Sequence, residues 1–208
     1  MRIIGGHAGG RRLKAPKGQA LRPTAARVKE ALFNILPRDL SGAKLLDLFA
    51  GTGNLTIEAL SRGAAEAILI DSSIESGRII RENLRRVRFF NRAKVWITPV
   101  ARALRLLARR GESFDLIFLD PPYEHRMIET TLKIIAKGSL LRPSGVLIAE
   151  HSIREELQRC YDSLLLHDQR RYGSTLLSFF RQAPNTNLPS QGPSDHGTKQ
   201  HRALSRLF

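Results

Sequence analysis

The sequence predicts an α/β protein of the Rossmann-like type, with a mostly parallel, doubly wound sheet and an antiparallel last strand. Three observations predict it. Between Lys44 and Glu150, short near-continuous apolar runs alternate with amphipathic stretches, as expected for strands buried on both faces by crossover helices. A glycine turn, Gly51-Thr52-Gly53, directly follows the first of those strands. After about residue 160 the helical pattern stops, and two strand-like runs flank a turn. The 208 residues suffice for one domain with a real core.

The elements follow in order. Residues 1–23 are rich in Gly, Arg and Pro without a sustained period and read as a basic N-terminal arm, with a short hairpin around His7–Gly10. Thr24 is a candidate N-cap for a helix whose apolar stripe is Val28, Ala31, Leu32, Ile35 and Leu36, ended by Pro37. Strands are expected at 45–49, 67–71, 95–98, 114–120 and 146–150, and helices at about 55–62, 75–90, 101–109 and 127–137. Two closing strands, 163–167 and 175–180, flank Arg170–Ser174. Residues 24–182 thus form the main domain. From 183 to 208 the chain is rich in Pro, Ser, Asn and Gln and reads as a disordered tail.

Charge narrows the partners. Lys and Arg number 34 against 19 acids, a formal net charge of +15. The excess concentrates before Leu40, where the only acids are Glu30 and Asp39, and again between Arg78 and Arg110. Such a field attracts polyanions, and nucleic acid is favoured over membrane or acidic protein. Arg11, Arg12, Lys14 and Arg27 are the candidate nucleic-acid contacts. No apolar run approaches the ~20 residues that cross a bilayer, and the N-terminus lacks a leader-like apolar stretch. The single cysteine, Cys160, cannot form an internal disulfide and reads as helix packing in a reducing, cytoplasmic compartment. The six histidines show no metal spacing, so no metal is expected.

The first strand runs into Asp47-Leu48-Phe49-Ala50-Gly51-Thr52-Gly53. Glycines here let backbone approach a ligand where a Cβ would collide. The spacing is neither the full dinucleotide G-x-G-x-x-G nor a phosphate-gripping G-K-[ST]. An acid just before the glycines, Asp47, suits a cation such as an α-amino group better than a pyrophosphate. Asp71 ends the second strand 18 residues after Gly53, the place for a carboxylate that accepts ribose hydroxyls. The two acids favour S-adenosylmethionine over NAD.

The fourth strand ends in Asp120-Pro121-Pro122-Tyr123. An exocyclic base amine is a poor nucleophile because its lone pair is delocalised into the ring. Accepting hydrogen bonds from its N–H groups orients that lone pair and stabilises the developing positive charge. Asp120 supplies a carboxylate and Pro121 a carbonyl. Two prolines stiffen the turn, and Tyr123 offers a face on which a flipped base can stack. Taken alone, the tetrapeptide could merely terminate a strand. Its place downstream of the glycine turn in one sheet favours catalysis.

These residues resemble the bacterial RsmD family, the 16S ribosomal RNA guanine-N2 methyltransferases. The likeness covers about Arg2 to Arg181. It rests on Arg2-Ile3-Ile4-Gly5-Gly6, Leu21-Arg22-Pro23-Thr24 with Arg27-Val28, Leu32-Phe33-Asn34, Asp47–Gly53, Glu58–Ala64 and Asp120–Tyr123. It implies the methyltransferase variant of the Rossmann-like fold and N2-methylation of a guanine in a small-subunit RNA loop. It also implies a cofactor lying over Asp47, Phe49, Gly51 and Gly53 with Asp71 on its ribose, Arg22 and Thr24 near the cofactor's carboxylate end, and RNA held by the arm. Many relatives place an acid or amide after the third strand to meet the adenine amine. Pro99 stands there, and Ser72-Ser73 follows Asp71 where a further acid is common. The alternatives are an adenine-N6 methyltransferase of DNA or RNA and a non-catalytic RNA-binding assembly protein on the same fold. The first normally needs an added recognition domain, and the second predicts a broken glycine turn or D-P-P-Y.

Overall fold

The structure, a computed structural model, describes residues 1–16, 23–122 and 127–183, with backbone alone at 23–25. Its centre is one eight-stranded sheet. β1 (Lys44–Leu48), β2 (Glu66–Asp71), β3 (Ala93–Ile97), β4 (Phe114–Leu119) and β5 (Leu141–Ser152) run parallel. β8 (Thr175–Gln182) lies antiparallel to β5, followed outward by β7 (Leu164–Tyr172) and β6 (Cys160–Tyr161). The order is β3-β2-β1-β4-β5-β8-β7-β6. The winding reverses between β1 and β4, and ligands of such sheets bind beyond the strand ends at that switch.

Burial explains the near-continuous apolar strands. All six residues of β4 are buried, as are the last four of β1. Alternate side chains enter two cores. One face is covered by α1 (Pro23–Ile35), α2 (Asn54–Ser61) and α3 (Ile74–Arg86), through Val28, Leu32, Ile57, Leu60, Ile80 and Leu84. The other is covered by α4 (Val100–Arg109) and α5 (Met127–Lys137), through Leu104, Leu107, Ile128, Leu132 and Ile135. No helix among the described residues is long and apolar enough to cross a membrane.

Several expectations are corrected. α1 begins at Pro23, so Thr24 lies inside the first turn and is not its cap. Proline suits that first position because its missing N–H has no helical partner there. α3 stops at Arg86, not Phe90; Arg88 takes a left-handed φ of 66° and residues 90–92 form a 3-10 turn. β5 starts at Leu141, five residues earlier than its apolar run, because Leu141 pairs with Phe114 before a bulge. Cys160 lies exposed in a short strand, not on a helix, and its sulfur contacts the Asp162 carbonyl at 3.4 Å.

The N-terminal segment is not outside the core. Residues 1–13 form a hairpin, bridged at Arg2 and Arg12, whose Ile3, Ala8 and Leu13 are buried in the α1–α3 core. Burying an aliphatic side chain of this size contributes about 1.5–3 kcal/mol, which outweighs the charge that suggested a free arm. The expected tail beyond Ala183 falls outside the described residues.

Candidate functional site at the strand-order switch

The turn after β1 is built by conformations that few residues adopt. Phe49, Gly51 and Gly53 have φ of 61°, 56° and 73°. Phe49 is not a glycine, and a left-handed bulky residue costs about 1–3 kcal/mol; its ring packs against the α4–α5 core. The two glycines differ in role. A Cβ on Gly51 would meet only the Phe49 carbonyl at 3.9 Å, so its outer side is open. A Cβ on Gly53 would press Leu69 at 3.2 Å and Ile80 at 3.5 Å. Gly51 therefore leaves room for a ligand, whereas Gly53 lets α2 and α3 close onto the sheet.

Two acids brace this turn. The Asp71 carboxylate accepts the Gly51 N–H at 2.8 Å and the Ser73 N–H at 2.8 Å. Asp47 lies beneath, 2% exposed, with Oδ2 accepting the Thr56 hydroxyl at 2.6 Å. Burial, reinforced by the charges of Asp120 and Asp71, pushes its carboxyl up to about 7 despite the Thr56 hydrogen bonds. Asn83 ties the hairpin to the turn, donating to the carbonyls of Lys14 and Thr52 at 3.1 Å each and accepting the Lys14 N–H at 2.7 Å. Pro99 sits at the start of α4, its carbonyl accepting the N–H groups of Arg102 and Ala103, while Thr98 N–H reaches the Asp71 carbonyl.

Asp120 follows β4 beside this turn, its N–H 3.5 Å from the Leu48 carbonyl. The residue is exposed at the surface, yet desolvation of its carboxyl by the surrounding protein pushes it up to about 6. Pro121 is buried and Pro122 exposed. Tyr123 and Arg22 lie outside the described residues, as does the Thr24 side chain.

Sequence reasoning missed Glu150, reading it only as a strand end. Phe118 pairs with Ile148 and Leu119 with Ala149, so Asp120 and Glu150 are next in register on neighbouring strands. Phe118 and Ile148 both enter the α1–α3 core; strand alternation puts Glu150 on that face, and Asp120, just past β4, lies close enough for its charge to act on Asp47 and Glu150. Parity with Ile148 was the signal available. Burial, then the Asp120 charge, pushes the Glu150 carboxyl up to about 8. Acids thus sit at or near the C-terminal ends of four adjacent strands: Asp71 closes β2, Asp47 is next to last in β1, Asp120 follows β4 and Glu150 lies two residues before the end of β5. Among the described residues, no group of three or more His, Cys, Asp or Glu is arranged to hold a metal.

The proposed nucleic-acid contacts lie elsewhere. Arg11, Arg12 and Arg27 are exposed; Arg11 reaches the Val87 carbonyl at 3.5 Å, and Lys14 pairs with Glu82 at 2.5 Å. Arg11, Arg12 and Lys14 line the hairpin strand beside α3, with Arg86 near Glu82 at 3.6 Å.

Known proteins share this architecture. The chain is 36% identical to the provisionally named rRNA methyltransferase YlbH of Bacillus subtilis, over 88% of this chain and 99% of that one. It is 32% identical to ribosomal RNA small subunit methyltransferase D of Escherichia coli, over 94% and 93%. The solved structure of yhhF from Escherichia coli, provisionally described as a methyltransferase, matches with a TM-score of 0.76 at 32% identity, covering 88% of this chain and 97% of that one. The model of the family described as Conserved hypothetical protein 95 matches residues 1–181, and the chain belongs to that family, the RsmD family its motifs resemble.

Proposed function

We propose that this protein transfers a methyl group from S-adenosylmethionine to the exocyclic N2 of a guanine in 16S ribosomal RNA, free or within the small subunit, in the cytoplasm. One observation carries the reading: on a chain of net charge +15, carboxylates sit at or near the C-terminal ends of four adjacent strands around an open glycine turn at the strand-order switch. Such a cleft favours a cationic ligand and a substrate edge rich in N–H donors.

The residues fit the cofactor. The open side of Gly51 is a cradle that a Cβ would begin to fill. Asp71, already fixing the turn through two backbone N–H groups, retains lone pairs for ribose hydroxyls. Asp47 supplies negative charge near the α-amino end, Phe49 shapes the apolar wall, and Arg22 and Thr24 are assigned to the carboxylate end. Pro99 cannot offer a side-chain acceptor, so the adenine contact falls to backbone of the first turn of α4. When bound, the cofactor supplies an electrophilic methyl group on a sulfonium.

The chain's own residues act on the amine. Asp120 accepts one N–H and the Pro121 carbonyl the other, which aims the nitrogen lone pair and stabilises positive charge as it forms. Pro122 stiffens the turn, and Tyr123 stacks the extruded base. Arg11, Arg12, Lys14 and Arg27 hold RNA phosphates, which position the substrate without reading it.

The test is methylation of 16S RNA and of small subunits from a strain lacking the gene, with mass mapping of the modified nucleoside. N2-methylguanosine at one site supports the reading. N6-methyladenosine transfers the protein to the adenine class, and RNA binding without methyl transfer leaves the assembly-protein reading.

A further inference from the structure

We propose that Glu150 is a positioning residue for methyl transfer: it holds the one proton kept by the Asp120–Glu150 pair, so that Asp120 meets the substrate amine as a carboxylate. This deepens the proposed function and rests on it.

The geometry begins with register. Asp120 and Glu150 follow paired residues on neighbouring parallel strands, whose backbones lie about 4.8 Å apart. The Asp120 charge reaches Glu150, so two ionised carboxylates here would repel each other. Among the described residues, no cation on the neighbouring strands or on α1 stands beside the pair. On β8 the residue opposite Glu150 is Leu177, flanked on that face by Thr175 and Phe179, all buried. Beyond it on β7 stands Arg170, exposed and paired with Asp168 at 2.7 Å. On β1 the neighbour is Asp47, another acid. On α1 the buried ammonium of Lys29 is spent on Glu58, Asn54 and the Arg2 carbonyl. Like charges so placed ionise in sequence, and the pair shares a proton.

Which residue carries the proton follows from the asymmetry of the site. Asp120 opens to the cleft, whereas Glu150 is lodged between β4 and the apolar edge of β8. The less solvent-exposed carboxyl keeps the proton, in line with burial and the Asp120 charge pushing Glu150 up to about 8 while desolvation pushes Asp120 only to about 6. A protonated Glu150 donates a hydrogen bond that holds the Asp120 carboxylate in one orientation, leaving its other lone pairs for the amine. The notion that Glu150 merely ends a strand predicts none of this.

The experiment has two arms on the full chain. Carbon-13 NMR of labelled Glu side chains, without substrate, reads protonation directly. Glu150, assigned by its loss in Glu150→Gln, should titrate above pH 7 and shift down by at least one unit in Asp120→Asn. Titration below pH 5, or no response to Asp120→Asn, overturns the pairing. In the second arm, kcat is measured from pH 6 to 9.5. Glu150→Ala should lower kcat by roughly 10–100-fold through misorientation with little change in cofactor Kd. Glu150→Gln, a permanent neutral donor, should recover most of that loss. It should also keep kcat level where the wild type declines above pH 8. Identical alkaline profiles for wild type and Glu150→Gln, or a Gln variant as poor as Ala, overturn the role. A wild type that methylates no RNA defeats the proposed function instead, and the NMR arm still decides whether the pair shares its proton.

Discussion

Lys29 Nζ lies 3.2 Å from Glu58 Oε2, and both side chains are shut off from solvent. The ammonium also donates to the Arg2 carbonyl at 2.8 Å and to Asn54 Oδ1 at 3.0 Å. Glu58 in turn accepts the N–H groups of Ile4 and Gly5 at 2.7 and 2.8 Å and the Arg62 guanidinium at 3.2 Å. One buried carboxylate therefore joins α1, α2 and the N-terminal hairpin. Burial still depresses the Lys29 ammonium more than Glu58 restores it, so the pair depends on its full set of partners.

Lys29→Met should destabilise the protein by about 3–5 kcal/mol, because the partner carboxylate stays buried with less compensation. Arg62 softens the loss toward the lower figure. Urea unfolding measures it, and a cost below about 1 kcal/mol would show that water reaches Glu58 freely. Hydrogen exchange at Ile4 and Gly5 should accelerate in Glu58→Gln.

That hub shows what a sequence leaves unread. The placement of Asp47, Gly51, Asp71 and Asp120 around one turn was legible because each sits at or just past a strand end that hydrophobic periodicity marks, and ligands of such sheets bind beyond those ends. Glu58 sits in an ordinary amphipathic helix, and its hairpin partners lie 53 and 54 residues away. No local period encodes such contacts. The same applies to the hairpin, whose arginines advertise an exposed arm while the widely spaced Ile3, Ala8 and Leu13 pack it down. Glu150 was hidden because its nearness to Asp120 depends on the β4–β5 register, which periodicity within a single strand does not specify.

Asp47 makes stability pH-dependent. Its carboxyl titrates at about 7 in the folded protein, against ~3.9 for an unperturbed aspartate. The folded chain binds this proton more tightly, so the contribution favours folding at low pH and is lost as pH rises between about 4 and 7. Asp47→Asn removes the titration and keeps an acceptor for Thr56. The variant should gain roughly 2–4 kcal/mol relative to wild type at pH 8, and little at pH 4. A difference between the two proteins that stays constant with pH would contradict the assignment.

Asp120→Ala should lower kcat by about 10²–10³, since a charged acceptor made strongest in the transition state is worth roughly 3–4 kcal/mol. Cofactor Kd should hardly move. The wild type should lose kcat as pH falls through about 6, where the carboxylate takes up a proton and loses the negative charge that stabilises the developing cation. Retention of kcat within threefold in the Ala variant would remove Asp120 from the reaction.

Asp71→Ala should act on binding and on the turn together. The carboxylate fixes Gly51 and Ser73, and charge-assisted bonds of this kind contribute about 1.5–3 kcal/mol each before water replaces them. Calorimetry with S-adenosylhomocysteine should show weaker binding, while kcat at saturating cofactor changes little. An unaltered Kd would sink the ribose assignment. Asp71→Asn, which keeps one acceptor oxygen, should fall between the two.

The hairpin arginines offer the sharpest separation of binding from chemistry. Arg11 and Arg12 are exposed, and the hairpin is held mainly by Ile3, Ala8, Leu13, Glu58 and Ser61, with only a long 3.5 Å bond from the Arg11 guanidinium to the Val87 carbonyl. Replacing each with Ala should therefore leave Tm within a few degrees of wild type. If each neutralises one phosphate, the slope of log K for RNA against log salt should flatten by roughly 0.7–0.9 per residue. Lys14 should contribute less, because its ammonium already pairs with Glu82 at 2.5 Å and must exchange that partner for a phosphate. Glu82→Gln should conversely strengthen RNA binding by freeing Lys14 and relieving Arg86. These effects belong in KM or Kd for RNA, since phosphate contacts hold the substrate without touching the amine. Affinity at four salt concentrations, for the wild type and each variant, decides it. Parallel lines with equal intercepts would mean that the hairpin carries only solubilising charge, and the RNA would then have to follow the arginines of α3 or α4.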